Sequence, residues 1–348
     1  MLGVFLDRAS LDLNDLNLTT LDNCLPTMRY YPMTSSAQVM ERIAGATVVI
    51  SNKVVLDSTA LESVPELRLI CVAATGTNNI DLQAATRLGI TVCNCRGYGT
   101  PSVVQHVFSL ILALMTHLPD YHRAVAEQRW QGAEQFCLLD FPIRELADKT
   151  LGIIGYGELG KSVARIAEAF GMKVLIAQRP GTLEPESGRI PLPVLLPQVD
   201  VLSLHCPLTP ETRGLIGAWE LALMRRDAIL INAARGGIVD EAALARALRE
   251  GALGGAGVDV LTEEPPAHGN PLLEKEIPNL IVTPHCAWGS REARQRLTGQ
   301  LVENIAGFLK GGGGKSGGLK VIQNTAESYR LSGKSQAKSH PASNGLRL

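Results

Sequence analysis

Short apolar runs separated by helix-like segments recur along almost the whole chain, and this rhythm constrains the fold more than any other feature. Residues 4–7, 47–51, 69–73 and 91–94 form one series of strand candidates. Residues 150–154, 173–177, 201–204, 228–232, 255–258 and 280–282 form a second. Several runs are apolar throughout rather than at alternate positions, which suits parallel strands covered on both faces. Strand–helix alternation over such a length specifies a doubly wound α/β fold.

Two long helical segments divide the series. Residues 101–117 read as one helix, with Thr100 or Ser102 as its cap and Pro119 as its stop. Residues 290–309 read as another. The expected organisation is a first domain at 1–95 completed by 291–310, a second domain at 96–290, and a tail at 311–348. The length of 348 residues suits two domains at about 150 residues each. A composition of 45% hydrophobic and 19% charged residues fits globular domains with sizeable cores. The tail opens with four glycines and is rich in Gly, Ser and Lys, so it is expected to be disordered. It carries six basic residues and only Glu327 as an acid. The net charge of −1 therefore conceals a basic tail on an acidic body.

Several classes are disfavoured at once. Near-neutrality argues against holding nucleic acid or an anionic membrane by bulk charge. The most apolar run, 107–115, is broken by Ser109 and falls far short of the ~20 residues that span a bilayer. Asp7 and Arg8 interrupt the N-terminus before any signal-peptide core forms, so a cytoplasmic location is expected. The seven cysteines include no Cys-x-x-Cys pair, and no paired metal-ligand spacing occurs. They read as reduced thiols, with no metal implied.

The sharpest local signal is Gly155-Tyr156-Gly157-Glu158-Leu159-Gly160, which follows the strand candidate 150–154 and opens a helical pattern. Gly155 permits the tight turn, Gly157 lets a pyrophosphate approach the backbone, and Gly160 lets helix and strand pack closely. The helix N-terminus adds unpaired N–H donors. At the end of the next strand, where an Asp or Glu would accept from the 2′-hydroxyl of NAD, the chain has Gln178 beside Arg179. Arg179 can pair with a 2′-phosphate, so the site is expected to accept NADP(H) as well as NAD(H).

Three later loops follow strand candidates: 232–237 with Arg235, 259–266 with Glu264, and 283–288 with His285. In a doubly wound sheet such loops line the ligand crevice. With the glycine turn, these loops resemble the D-isomer-specific 2-hydroxyacid dehydrogenases over about residues 1–310. The stretches 50–57 and 284–288 look most like the glycerate dehydrogenase (hydroxypyruvate reductase) branch. The resemblance implies two Rossmann-like lobes with a cleft between them: a flavodoxin-like substrate domain and a doubly wound nucleotide-binding domain. It also implies a homodimer joined through the nucleotide lobes and the helix beginning near Pro101.

The resemblance assigns roles as well. Arg235 would hold the substrate carboxylate and polarise the keto oxygen. His285 would exchange a proton with that oxygen, and Glu264 would orient and charge the imidazole. The backbone N–H groups of Thr75 and Gly76 would bind the same carboxylate, with Trp288, Lys53 and Asn94 as further candidates. Glu158 and Leu159 would meet the pyrophosphate through their backbones. His205, Cys206 and Pro207 would cross near the nicotinamide ribose. Ala233 and Arg235 would line the nicotinamide side, where His285 also stands, and Asp259 would accept from the carboxamide. Cys206 and Cys286 read as packing thiols.

The implied reaction is reduction of hydroxypyruvate to D-glycerate, with glyoxylate as a side substrate. One alternative is another D-2-hydroxy acid, such as a phosphoglycerate, for which Lys53 and Arg96 are candidate basic groups. The other is a nucleotide-sensing protein like the C-terminal-binding corepressors, which share fold and triad.

Overall fold

The computed structural model describes residues 1–182 and 187–311, together with the backbone of Ile322 and Gln323. The chain divides into two compact units: Met1–Gly99 with the segment from Arg291 onward, and Thr100–Ser290. The first break falls a few residues beyond the expected 95/96 boundary.

In the first unit, β1 (Leu2–Phe5), α1 (Thr19–Asp22), β2 (Thr27–Tyr30), α2 (Val39–Ile43), β3 (Val48–Ser51), α3 (Ser58–Glu62), β4 (Leu69–Val72), α4 (Leu82–Arg87) and β5 (Thr91–Asn94) alternate along the chain. The strands are all parallel, in the order β2-β1-β3-β4-β5. This is the flavodoxin-like order. Two helices start on aspartate caps: Asp57 accepts from the Ala60 N–H and Asp81 from the Ala84 N–H, both at 2.9 Å. Val4, Val49, Ile70 and Val72 pack with Ile43, Leu61 and Ala84 to form the core. The helix Arg291–Lys310 belongs to this unit. Its Arg294 is 7% exposed and grips both carboxylate oxygens of Asp15, at 2.8 and 2.7 Å. The guanidinium holds the Asp15 carboxyl down at about 2.

Strand β2 did not stand out in the sequence. It is an edge strand, Thr-Met-Arg-Tyr, whose residues alternate between exposed and half-buried. The expected disorder of 311–348 falls almost wholly outside the described residues. The part that is described, Ile322–Gln323, pairs in parallel with Cys93 and Asn94 of β5.

The second unit contains α5 (Thr100–Met115), α6 (Leu118–Ala126), β6 (Thr150–Ile154), α7 (Glu158–Ala169), β7 (Lys173–Ile176), α8 (Leu192–Leu195), β8 (Val201–Leu204), α9 (Ala218–Leu223), β9 (Ile229–Asn232), α10 (Glu241–Arg249), β10 (Gly255–Val258) and β11 (Leu280–Val282). Its parallel sheet runs β7-β6-β8-β9-β10-β11. In β9, Ile229 and Ile231 join Val107, Ile111 and Val163 of α5 and α7, while Leu230 joins Leu244 and Leu248 of α10. Both faces are covered, which is why this strand is apolar without a break.

The expected ends of the long helix need correction. Neither Thr100 nor Ser102 caps it: the Thr100 hydroxyl donates to Glu158 Oε1 at 2.6 Å and the Ser102 hydroxyl to the Ala287 carbonyl at 2.7 Å. Pro119 does not stop it either. Helix α5 ends at Met115, His117 turns left-handed at φ +51°, and Pro119 sits in the first turn of α6. A missing N–H costs nothing in a first helical turn. No single helix among the described residues is long and apolar enough to cross a membrane. The α5–α6 pair passes that test jointly but bends by 61°.

Candidate active site

Strand β6 lies between β7 and β8, so the chain order reverses there and a crevice opens beyond the strand ends. The glycine turn occupies that point. Gly155 has φ +93°, and a Cβ there would lie 2.5 Å from the His205 carbonyl carbon. A Cβ on Gly160 would lie 2.2 Å from the Gly155 oxygen. Gly157 caps α7, and a Cβ there would meet nothing within 4 Å, so the approach to the helix N-terminus is open. Glu158 and Leu159 form the first residues of α7. The three glycines thus have the separate steric roles that dinucleotide binding demands.

Beyond β6 and β7 lies a cavity of about 180 Å³ lined by Ala177, Gln178, Arg179, Pro180, Leu192 and Leu215, among others. Gln178 Nε2 donates to the Thr182 carbonyl at 2.9 Å. The side chain expected to read the ribose therefore lies in the wall of a recess, with the exposed Arg179 beside it.

After β8, His205 packs its backbone against Gly155. Its Nε2 lies 2.9 Å from Ser203 Oγ, and its Nδ1 is buried without a partner among the described residues. Burial pushes the imidazole down to about 4, so the ring is neutral at physiological pH. Burial also pushes the Cys206 thiol up to about 11, which suits a packing group. Pro207 follows at the surface.

The three loops expected to carry the chemistry follow β9, β10 and β11, three adjacent strands of one sheet. Half-buried Arg235 follows β9, where Asn232 braces the turn: its Oδ1 accepts from the Ala234 N–H at 3.1 Å and its Nδ2 donates to the Arg235 carbonyl at 3.0 Å. Ala233 packs against the core beneath. Gly236, which the sequence did not single out, brings this turn against the next loop. A Cβ there would lie 1.9 Å from the Leu261 oxygen. In that next loop, Glu264 Oε1 accepts from the Leu261 N–H at 2.9 Å, and Oε2 accepts from His285 Nδ1 at 2.6 Å. The imidazole is thereby oriented with its Nδ1 protonated and Nε2 available for proton transfer.

His285 itself has φ +51°. Its N–H bonds to the carbonyls of Asp259, at 2.8 Å, and Thr283, at 3.0 Å. Asp259, 1% exposed, holds the loop from behind. Oδ1 accepts from the Cys286 N–H at 3.0 Å and the Thr283 hydroxyl at 2.6 Å, and Oδ2 accepts from the Ala287 N–H at 3.0 Å. His106 Nε2 on α5 donates to Thr283 Oγ1 at 2.9 Å and completes the network. Burial and the Asp259 carboxylate raise the exposed Cys286 thiol. Half-buried Trp288 packs against the α5 core. The sequence offered no sign of His106 or Thr283, because nothing in the spacing of residues 106, 259 and 283 indicates that they meet.

The remaining candidates belong to the first unit. Thr75 and Gly76 follow β4, with the Thr75 carbonyl held by Asn94 Nδ2 at 2.6 Å and its hydroxyl donating to the Cys95 carbonyl at 2.9 Å. Buried Asp7 accepts from the backbone N–H groups of Asn52 and Lys53, at 2.9 and 2.7 Å, and fixes the turn that carries Lys53.

Comparison with known proteins shows the family. Residues 108–287 match the D-isomer specific 2-hydroxyacid dehydrogenase, NAD binding domain. The glycerate dehydrogenase of Methylorubrum extorquens is 48% identical over 310 residues, covering 88% of this chain and 96% of the relative. The hydroxypyruvate reductase of Blautia hydrogenotrophica is 39% identical over 314 residues, covering 88% and 97%. Among solved structures, the NADPH-dependent glyoxylate/hydroxypyruvate reductase of Sinorhizobium meliloti, in complex with NADP and malonate, superposes with a TM-score of 0.74 at 25% identity, covering 89% and 94%.

Proposed function

The chain belongs to the D-isomer-specific 2-hydroxyacid dehydrogenases, enzymes that use a nicotinamide dinucleotide, and from that premise we propose that it reduces hydroxypyruvate to D-glycerate with NADH or NADPH. Glyoxylate, the smaller 2-oxo acid, is a side substrate in this reading. The observation that carries it is the 2.6 Å contact between Glu264 and His285 in loops adjoining the Arg235 turn. The names of the two relatives above support the choice of substrate.

When bound, the dihydronicotinamide supplies a hydride to the keto carbon. Arg235 binds the substrate carboxylate through its fork of donors and polarises the keto oxygen. His285 gives that oxygen a proton from Nε2 and recovers it in the reverse direction. Glu264 stabilises the imidazolium from which that proton leaves. The backbone N–H groups of Thr75 and Gly76 serve as further carboxylate donors. Lys53, Asn94 and Trp288 serve substrate fit. The glycine turn with Glu158 and Leu159, the His205-Cys206-Pro207 turn, Ala233 and Asp259 hold the dinucleotide, and Gln178 and Arg179 set its 2′ preference.

The partners in this reading are a small 2-oxo acid, the dinucleotide and a second copy of the chain. Nucleic acid and membrane have no part in it. The homodimer is supported by a cavity of about 380 Å³ between α5 and α7, and by Trp130, Phe136, Leu139 and Ile143, apolar side chains between 51% and 89% exposed. Light scattering on the purified protein tests it, and a monomer at working concentration removes it. The seven cysteines form no disulfide among the described residues, which supports a cytoplasmic location.

The decisive experiment measures kcat/KM for hydroxypyruvate, glyoxylate and a panel of larger 2-oxo acids, with NADH and NADPH side by side. Hydroxypyruvate should rank first. A larger acid ranking first would reassign the substrate. Dinucleotide binding without turnover of any 2-oxo acid would favour a nucleotide sensor.

A further inference from the structure

The cluster behind the catalytic loop has a composition that hydride transfer does not require. His106 comes from α5, Asp259 from the end of β10 and Cys286 from the loop after β11. The imidazole nitrogen, carboxylate oxygen and sulfur of these residues lie within 4.8 Å of one another. His106 Nε2 is 3.5 Å from Asp259 Oδ1, and the Thr283 hydroxyl bridges them at 2.9 and 2.6 Å. The Cys286 sulfur lies within 4.8 Å of the His106 nitrogen and the Asp259 oxygen, and burial and the Asp259 carboxylate raise its thiol. One nitrogen, one oxygen and one sulfur donor are thus gathered around one point, a donor set that suits a thiophilic divalent cation.

We propose that His106, Asp259 and Cys286 form a binding site for a thiophilic divalent cation of the Zn²⁺ class, and that its occupation inhibits the enzyme. Tetrahedral zinc with bonds of about 2.0–2.3 Å sets its donors roughly 3.3–3.6 Å apart. Closing the present cluster to that spacing asks for about 1 Å of side-chain movement. Cys286 is exposed and gives the ion a way in, whereas Asp259 is 1% exposed and gives it an anchor.

The proton balance is simple. The Cys286 thiol releases one proton to solvent as sulfur binds the metal. The His106 proton moves from Nε2 to Nδ1, leaving Nε2 to coordinate. The carboxylate and thiolate then match the charge of the divalent ion, so the site becomes neutral. The Thr283 hydroxyl or a water fills the fourth position. Inhibition follows because Cys286 is covalently next to His285, and because the ion occupies the carboxylate that braces the His285 loop. The inhibitory part rests on the proposed roles of His285 and Asp259, whereas the binding part rests on the cluster alone.

The test titrates reduced, chelator-treated protein with Cd²⁺, a spectroscopic stand-in for Zn²⁺, and follows the ultraviolet thiolate-to-metal charge-transfer band together with proton release. One equivalent should saturate the band, with about one proton released per ion. Cys286→Ser should abolish the band, and His106→Gln should weaken binding at least about tenfold. A band that persists in Cys286→Ser, or an unchanged affinity in His106→Gln, overturns the site. Zn²⁺ should inhibit hydroxypyruvate reduction in the wild type, with relief by chelator, and should leave Cys286→Ser active. Uptake of the ion without loss of turnover overturns the inhibitory role. A protein that binds the ion yet reduces no 2-oxo acid leaves the site standing and removes only the functional reading.

Discussion

Replacing Glu264 by glutamine isolates the charge in the proposed Glu264–His285 pair, because the side chain keeps its length. The carboxylate uses both oxygens, one for His285 Nδ1 and one for the Leu261 N–H. Glutamine has a single acceptor oxygen, so its amide nitrogen faces one of those two donors. The charge lost is the counter-ion of the imidazolium. Two unit charges about 4 Å apart interact by about 4 kcal/mol at an effective dielectric of ~20. Both side chains are partly exposed, at 27% and 32%, so solvent screening reduces this by about half. The remaining ~2 kcal/mol agrees with the ~1.5–3 kcal/mol typical of a hydrogen bond to a charged group. Glu264→Gln should therefore lower kcat for reduction roughly 30-fold at neutral pH. KM for the dinucleotide should change little. The assay is steady-state reduction of hydroxypyruvate at neutral pH. A kcat within twofold of wild type would refute the role given to Glu264.

Four further outcomes follow from the same geometry. Arg235→Lys should raise KM for the 2-oxo acid and lower kcat, since one ammonium cannot replace the guanidinium fork; near-wild-type kinetics would remove Arg235 from the site. Gln178→Asp should shift preference towards NADH by placing a carboxylate in the recess after β7, and an unchanged NADPH/NADH ratio would show that Gln178 does not read the ribose. Thr283→Val should cost up to about tenfold in kcat by loosening the Asp259 network, with Thr283→Ser restoring activity; equal loss in both variants would show that the hydroxyl is not what matters. His205 is held at about 4 against an ordinary 6.5, so between those values the unfolded chain takes up the proton first. Its stabilising contribution is present above pH 6.5 and lost as pH falls towards 4, by up to about 3 kcal/mol. The stability of wild type relative to His205→Asn should fall over that range as pH falls, and parallel curves from denaturant unfolding would contradict it.

What could be read from the sequence depended on whether the relevant physics is local. Both sheets were legible because burial on two faces leaves continuous apolar runs, as in β9, where successive residues enter opposite cores. Strand β2 was not, because an edge strand half open to solvent has no such run. The glycine turn was legible because each glycine answers a steric demand within a few residues of itself or across one strand pair. The end of α5 differs from the expectation because Pro119 reads as a stop from sequence alone. Proline is equally at home in a first helical turn, and only the left-handed His117 decides between the two.

The same contrast divides the site. Arg235, Glu264 and His285 could be singled out as candidates because each follows a recognisable strand, and a parallel sheet gathers the residues at its strand ends whatever their separation in sequence. His106 follows no strand. It lies within α5, where the local pattern shows only a polar residue interrupting an apolar helix. That it meets Asp259 and Cys286 depends on the packing of α5 across the sheet face, which neither spacing nor propensity encodes. Absence of paired metal-ligand spacing therefore constrains only sites built from neighbouring residues. A site assembled from a helix, a strand end and a loop leaves no such trace, and here those three elements place a nitrogen, an oxygen and a sulfur within 4.8 Å of one another beside His285.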